Sequence, residues 1–156
     1  MSTTSQRLVA ALGKTASDPE VKALLTDLGL DEAPPIEDDV SSDVEVTQHG
    51  VALFFRTAHH LRKIASLSSL APATPVFSDV KFSCYGYGGG PGFADPLPHG
   101  LSFSDTRSAV RERLGPPSWS SPVVENDRWN EGDRYLTIAF DENSILEVAC
   151  GLDWML

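Results

Sequence analysis

Two stretches of this chain carry the same signals in the same order, which narrows what it can fold into. Asp18-Pro19 opens a helix in the first half and Ser104-Asp105 opens one in the second. Eleven residues after Asp18 and after Ser104 stands a glycine preceded by leucine, Leu28-Gly29 and Leu114-Gly115. An alternating apolar strand then ends at Phe55 and at Phe140, 26 and 25 residues beyond those glycines. Self-similarity of this kind marks a repeated supersecondary unit whose copies bury a shared core. Matching Val51, Leu53, Phe55 and Ile64 to Leu136, Ile138, Phe140 and Val148 keeps the strand phase in both copies. The expected fold is α+β: two tandem helix-plus-antiparallel-meander units, side by side in one continuous sheet with helices on one face.

The first unit spans residues 1–70. Ser5 to Leu12 reads as a short helix closed by Gly13. Asp18 supplies an N-cap oxygen and Pro19 a pre-set first helical residue. Val21, Leu24, Leu25 and Leu28 form one apolar stripe, and Gly29 suits the C-terminal cap. Residues 31–45 hold seven acidic side chains, no basic one, and Pro34-Pro35. Self-repulsion makes this stretch a solvated connector that enters a strand near Val44 and Val46. The turn Gln48-His49-Gly50 leads to Val51, Leu53 and Phe55, and a turn over residues 57–60 returns the chain through Leu61 to Leu67 to complete a meander.

Residues 71–100 hold five prolines and six glycines. They read as a linker with a mobile, aromatic, glycine-rich loop at its centre. The second unit, residues 101–156, has a helix from Asp105 to Leu114 capped by Ser104, with Val110 and Leu114 inward and Arg107, Arg111 and Arg113 outward. Trp129 lies on a strand, and Asn130-Glu131-Gly132-Asp133 is a turn. Leu136, Ile138 and Phe140 alternate on one face before a turn leads into Ile145 to Cys150, whose inward phase puts Cys150 in the core.

Charge bounds the partners. The chain of 156 residues carries a formal charge of -10, against binding to nucleic acid or anionic membrane and for a basic protein partner. The polar N-terminus and the absence of any long apolar run predict neither a signal peptide nor a membrane span. Cys84 and Cys150 lack metal-ligand spacing and read as reduced, so the expected compartment is the cytoplasm.

Catalytic and metal patterns fail on detail. The run from Tyr85 to Phe93 lacks the Lys-Ser or Lys-Thr of a phosphate loop, and Pro91 removes a backbone donor. His59-His60, adjacent on an extended chain, point to opposite sides and read as a solvent-facing turn. The acidic connector lacks calcium-loop spacing, and no Gly-x-Ser-x-Gly elbow is present. No cofactor, no metal and no catalytic residue is expected. Binding chemistry remains: Asp38, Asp39, Asp43 and Glu45 as an acidic face that steers a partner, and Tyr85, Tyr87, Phe93 and Trp119 as aromatic anchors. Packing over the core is the alternative for the loop aromatics. Trp154-Met155-Leu156 either tucks against the core or seeds a homodimer contact.

The second unit carries a recognisable line of residues: Thr106-Arg107, Val110, Leu114-Gly115-Pro116, Asp127-Arg128-Trp129, Leu136-Thr137-Ile138-Ala139-Phe140 and Val148. It resembles the helix, Leu-Gly-Pro turn and meander of beta-lactamase inhibitor proteins and of the small outer-membrane assembly lipoproteins that share their unit. Leu97-Pro98-His99-Gly100-Leu101 resembles a stretch of small bacterial immunity proteins of interbacterial toxin systems. The chain is expected to have neither the signal peptide and paired disulfides of the secreted inhibitors nor the lipidated cysteine of the lipoproteins. The resemblance implies a non-enzymatic immunity protein that binds a cognate toxin and occludes its active site. Two other readings stand beside it: an effector chaperone or adaptor, and a small hydrolase with a site between the units.

Overall fold

The computed structural model describes residues 2–38, 40–142 and 144–154. Among them, three helices pack on one face of a seven-stranded antiparallel sheet of order β1-β2-β3-β7-β6-β5-β4. The helices are α1 (Thr4–Ala11), α2 (Pro19–Asp27) and α3 (Arg107–Leu114). The strands are β1 (Ser41–Val46), β2 (Val51–Thr57), β3 (Pro75–Ser83), β4 (Trp119–Ser120), β5 (Asn126–Glu131), β6 (Arg134–Asp141) and β7 (Ser144–Leu152). The order divides into two meanders, β1-β2-β3 and β5-β6-β7, joined edge to edge where β3 pairs with β7. No helix among the described residues is long and apolar enough to cross a membrane.

Local chemistry accounts for most of the elements. Thr3 caps α1 in a reciprocal capping box with Gln6, and Asp18 caps α2 by accepting from the Glu20 amide with Pro19 in the first turn. The helix stripes Leu8-Ala11, Val21-Leu24-Leu25 and Val110 join Val51, Leu53, Phe55, Val80, Phe82, Leu136, Ile138, Phe140, Val148 and Cys150 in one buried cluster. Burial of this apolar surface is the main drive to fold.

Five expectations are corrected. Residues 61–67 form no strand. Leu61, Ile64 and Leu67 are buried at a spacing of three, and their amides bond to Ala58, Leu61 and Ile64 carbonyls three residues back, the pattern of a tightly wound turn ribbon. The third strand of the first meander is β3, which lies inside the stretch expected to be a linker. The match of Ile64 to Val148 therefore fails, since Ile64 is in a turn and Val148 in a strand. The glycine-rich segment is not a free loop either. It docks on the β1–β2 turn so closely that a Cβ on Gly50 would strike the Phe93 amide and one on Gly90 the Thr47 carbonyl. Finally, α3 starts two residues late: Asp105 accepts from the Ser102 amide at 2.9 Å, and Thr106 becomes the N-cap, accepting from Ala109 at 3.0 Å.

Two arginines expected to point outward instead latch α3 onto the sheet. Asp127, on the helix-covered face of β5, is 0% exposed. It accepts from Arg107 at 2.7 and 3.2 Å, from Arg111 at 2.8 and 2.8 Å, and from the Ser120 hydroxyl at 2.8 Å. Burial alone would push this carboxyl up, but the hydrogen bonds from Arg111, Arg107 and Ser120 outweigh it and hold it well below the usual carboxylate range. A depressed native value favours the fold above the unfolded value near about pH 4 and ceases to do so as pH falls further. Asp127→Asn should cost about 3 kcal/mol in urea denaturation at pH 7, near the low end for a broken buried pair because the arginines are part-exposed. The cost should shrink as pH falls below about 4, where the unfolded chain takes up a proton that native Asp127 resists; an unchanged urea midpoint at pH 7 would sink the latch.

Candidate partner-binding face

The face of the sheet turned away from the helices carries the side chains of alternate residues, and register decides which of them meet. One row runs Asp43, Phe54, Asp79, Gly151, Tyr135 and Asn130 across β1, β2, β3, β7, β6 and β5. The next runs Glu45, Ala52, Lys81, Ala149, Thr137, Arg128 and Trp119 across all seven strands. Small residues in the middle of the second row, Ala149 and Thr137, floor a depression of about 390 Å3. Phe54, Lys81, Arg128, Tyr135 and Trp154 stand around it.

The charged groups at the centre of this face are paired with one another and with rings. Tyr135 donates its hydroxyl to Asp79 Oδ2 at 2.5 Å, and Arg56 Nε lies 3.4 Å from Asp79 Oδ1. Burial first, then the Asp79 charge and its hydrogen bond, push the Tyr135 hydroxyl far above its ordinary value, so it stays a donor. Arg128 sits 3.3 Å from Asp153 and stacks 4.3 Å above the Tyr135 ring; Arg56 lies 4.5 Å over Trp154; Lys81 lies 3.9 Å from Glu147 and 5.2 Å over Phe54. The Trp154 ring is also packed at 4.5 Å on His60. His60 is thus half-buried rather than solvent-facing as expected, and burial, then Arg56 and Arg62, lower its pKa and favour the neutral ring.

Gly151 makes the central contact geometrically possible. A Cβ there would lie 2.5 Å from Asp79 Oδ2 and 2.7 Å from the Tyr135 ring, so the hydroxyl reaches over β7 only because that residue has no side chain.

The predicted binding residues sort by position. Asp43 and Glu45 lie on this face at the β1 edge and Trp119, 54% exposed, at the opposite edge on β4. Tyr87 borders a neighbouring hollow with Glu45, Lys81 and Glu147, and the Glu147 charge raises its hydroxyl pKa. Asp38 sits just before β1, accepting from the Val40 and Ser41 amides at 3.0 Å each; the bonds from Ser41 and then Val40 lower its pKa. Tyr85 is 84% exposed in the loop. Phe93 is not an exposed anchor: it is 7% exposed and packs against Phe82 with ring centroids 4.7 Å apart, pulled in by the docked glycines. Asp39 lies outside the described residues, as do Met155 and Leu156. Sequence reasoning missed Phe54, Arg56, Arg128, Tyr135 and Glu147, although each occupies the outward phase of a strand that was read, and it missed Asp79 and Lys81 because their strand was read as linker.

Among the described residues no group of three or more His, Cys, Asp or Glu is placed to hold a metal ion. No protein-family model, curated protein or solved structure matches the chain. The face is a surface of paired cations and aromatic rings whose central carboxylate, Asp79, is held by Tyr135 and Arg56.

Tyr135→Phe should lower stability by about 1.5 kcal/mol, since a buried carboxylate loses its donor. Gly151→Ala should lower it by about 2 kcal/mol through overpacking of the same contact. Urea denaturation measures both, and wild-type midpoints in the two variants would show that Tyr135 has an equally good position elsewhere.

Proposed function

We propose that the chain is a cytoplasmic immunity protein that binds a cognate bacterial toxin and neutralises it by covering its active site with the open sheet face. One observation carries the reading: Asp43 and Glu45 at one edge and Trp119 at the other belong to a single helix-free face. Between them stand Phe54, Arg56, Arg128, Tyr135 and Trp154, residue types that dominate interface energetics. The acids at the β1 edge and the net charge of -10 favour a basic partner and speed its approach.

Size supports contact by the whole face. Six intervals between seven strands, at about 4.8 Å each, span roughly 29 Å, and strands of about 20 Å make a face of roughly 600 Å2. One partner's share of a standard interface is about 800 Å2, so the face with the Tyr87 rim and the β4–β5 hairpin is sufficient. Occlusion needs no catalytic group, and none is invoked. The cations are held in place before contact, which lowers the ordering cost of binding.

The test starts from a pull-down with the tagged protein in lysate of the source bacterium, followed by co-expression with the basic toxin recovered. Rescue of growth is expected; binding without rescue would make the chain a chaperone or adaptor. With that toxin, Asp43→Arg with Glu45→Arg should slow association about tenfold at low salt and flatten its salt dependence. Trp119→Ala should mainly speed dissociation. Wild-type kinetics in both variants would remove the open face from the mechanism.

A further inference from the structure

A second cavity opens in the helix layer, beneath the covered side of the sheet. It is a crevice of about 430 Å3 between α1 and α3, within the range of small-molecule sites. Val9 of α1 and Leu12 just after it form one wall, and Leu114 of α3 with Trp129 forms the other; Leu136 and Cys150 are at its base. The Trp129 ring is fixed, because its indole N–H donates to the Gly115 carbonyl at 3.1 Å. The Cys150 thiol adds no charge: burial pushes its pKa up to about 12. The body of any occupant must therefore be apolar.

The mouth decides the head group. His99, Glu131 and Arg134 lie there. Arg134 is committed: it donates to the Val9 carbonyl at 3.4 Å and the Leu12 carbonyl at 3.1 Å, closing the C-terminal end of α1, and its Nε lies 3.9 Å from Asp133. Glu131 is exposed at the end of β5, and its carboxylate makes no hydrogen bond or ion pair with the described residues. The one uncompensated charge at the mouth is therefore negative, in a protein whose net charge is also negative. An anionic head would meet Glu131 and Asp133 with no free guanidinium, whereas a cationic head would find an open acceptor beside an aromatic wall.

We propose that this crevice binds a small amphipathic cation, an apolar body of aromatic or short alkyl character carrying an ammonium group that Glu131 receives. The proposal does not rest on the toxin reading: its walls come from the helix layer and the covered side of the sheet, although Asn130, Tyr135 and Gly151 of the open-face row also line the crevice.

The test titrates the full chain with three probes of the same body, 4-phenylbutylammonium, 4-phenylbutanol and 4-phenylbutanoate, followed by 1H–15N spectra. The ammonium should bind about five- to tenfold more tightly than the carboxylate, as expected for one part-exposed ion pair against repulsion. It should shift the Trp129 indole together with amides of residues 9–12 and 129–136. Glu131→Gln, a substitution at an exposed position, should erase the preference while leaving the alcohol's affinity unchanged. Leu114→Trp, which fills the crevice, should weaken all three probes. No shifts up to about 10 mM ammonium, a weak millimolar limit, would overturn the proposal. So would equal binding of the carboxylate, or a preference that survives in Glu131→Gln.

Discussion

The pairing of β3 with β7 is the constraint on which the rest depends. Each meander alone is a three-stranded sheet with a free edge, and the two become one surface only where Asp79 to Ser83 align with Gly151 to Glu147. Register here is a matter of parity, because a slip of one residue would send Lys81 and Ala149 into the core and Val80 and Val148 to water. The apolar residues on the covered face, Val80 and Phe82 against Cys150 and Val148, make that slip costly. The same register sets Asp79 beside Gly151, and so lets Tyr135 cross β7. Core packing on one side thus dictates the polar architecture on the other.

A second ionic cluster does for the helix layer what this seam does for the sheet. Buried charges are rarely a net gain over apolar packing, because desolvation takes back most of the Coulomb energy. Asp127 escapes much of that penalty: five hydrogen bonds reach its two oxygens, and its partners Arg107 and Arg111 keep part of their surface in water. Its value lies in specificity. α3 has a single fully buried apolar residue, Val110, and so little apolar grip on the sheet. Fork-shaped guanidiniums on a fixed carboxylate supply the orientation that so short a stripe cannot.

Legibility followed the range of the interactions. The Asp18-Pro19 cap of α2, the stripe Val21-Leu24-Leu25, the turn at Gly50 and the inward phase of β2, β6 and β7 are set by residues a few positions apart, and they could be read directly. The stretch 75–83 was hidden by its neighbours: prolines and glycines averaged over residues 71–100 masked the strand that holds Val80 and Phe82. Residues 61–67 carried a spacing of three that distinguishes turns from a strand of period two, and that signal was present but overlooked. The open face was the least legible part. Trp119 is 74 or more positions from Asp43 and Glu45, and only the strand order places them on one surface. Phe93 shows the opposite case, an aromatic in a glycine-rich stretch whose burial depends on Gly50, more than forty positions away, lacking a side chain.

The acids at the β1 edge can be given two roles, and geometry separates them. Edge strands expose unpaired backbone groups and invite unwanted pairing, and charge on such a strand protects against it. Here protection already has other sources. Ser42 Oγ donates to the Pro34 carbonyl at 2.9 Å, laying the acidic connector along β1, and β4 at the far edge is only two residues long. Moreover, Asp43 and Glu45 share parity with Phe54 and Lys81, so they look out over the open face. Across that face Arg56, Lys81 and Arg128 each have a carboxylate in reach, at 3.4, 3.9 and 3.3 Å. Asp43 and Glu45 have no cation among the described ion pairs. A surface whose centre is internally neutralised and whose rim keeps uncompensated negative charge discriminates by what surrounds a partner's contact patch: basic flanks are drawn in, and acidic ones are repelled before close contact is made.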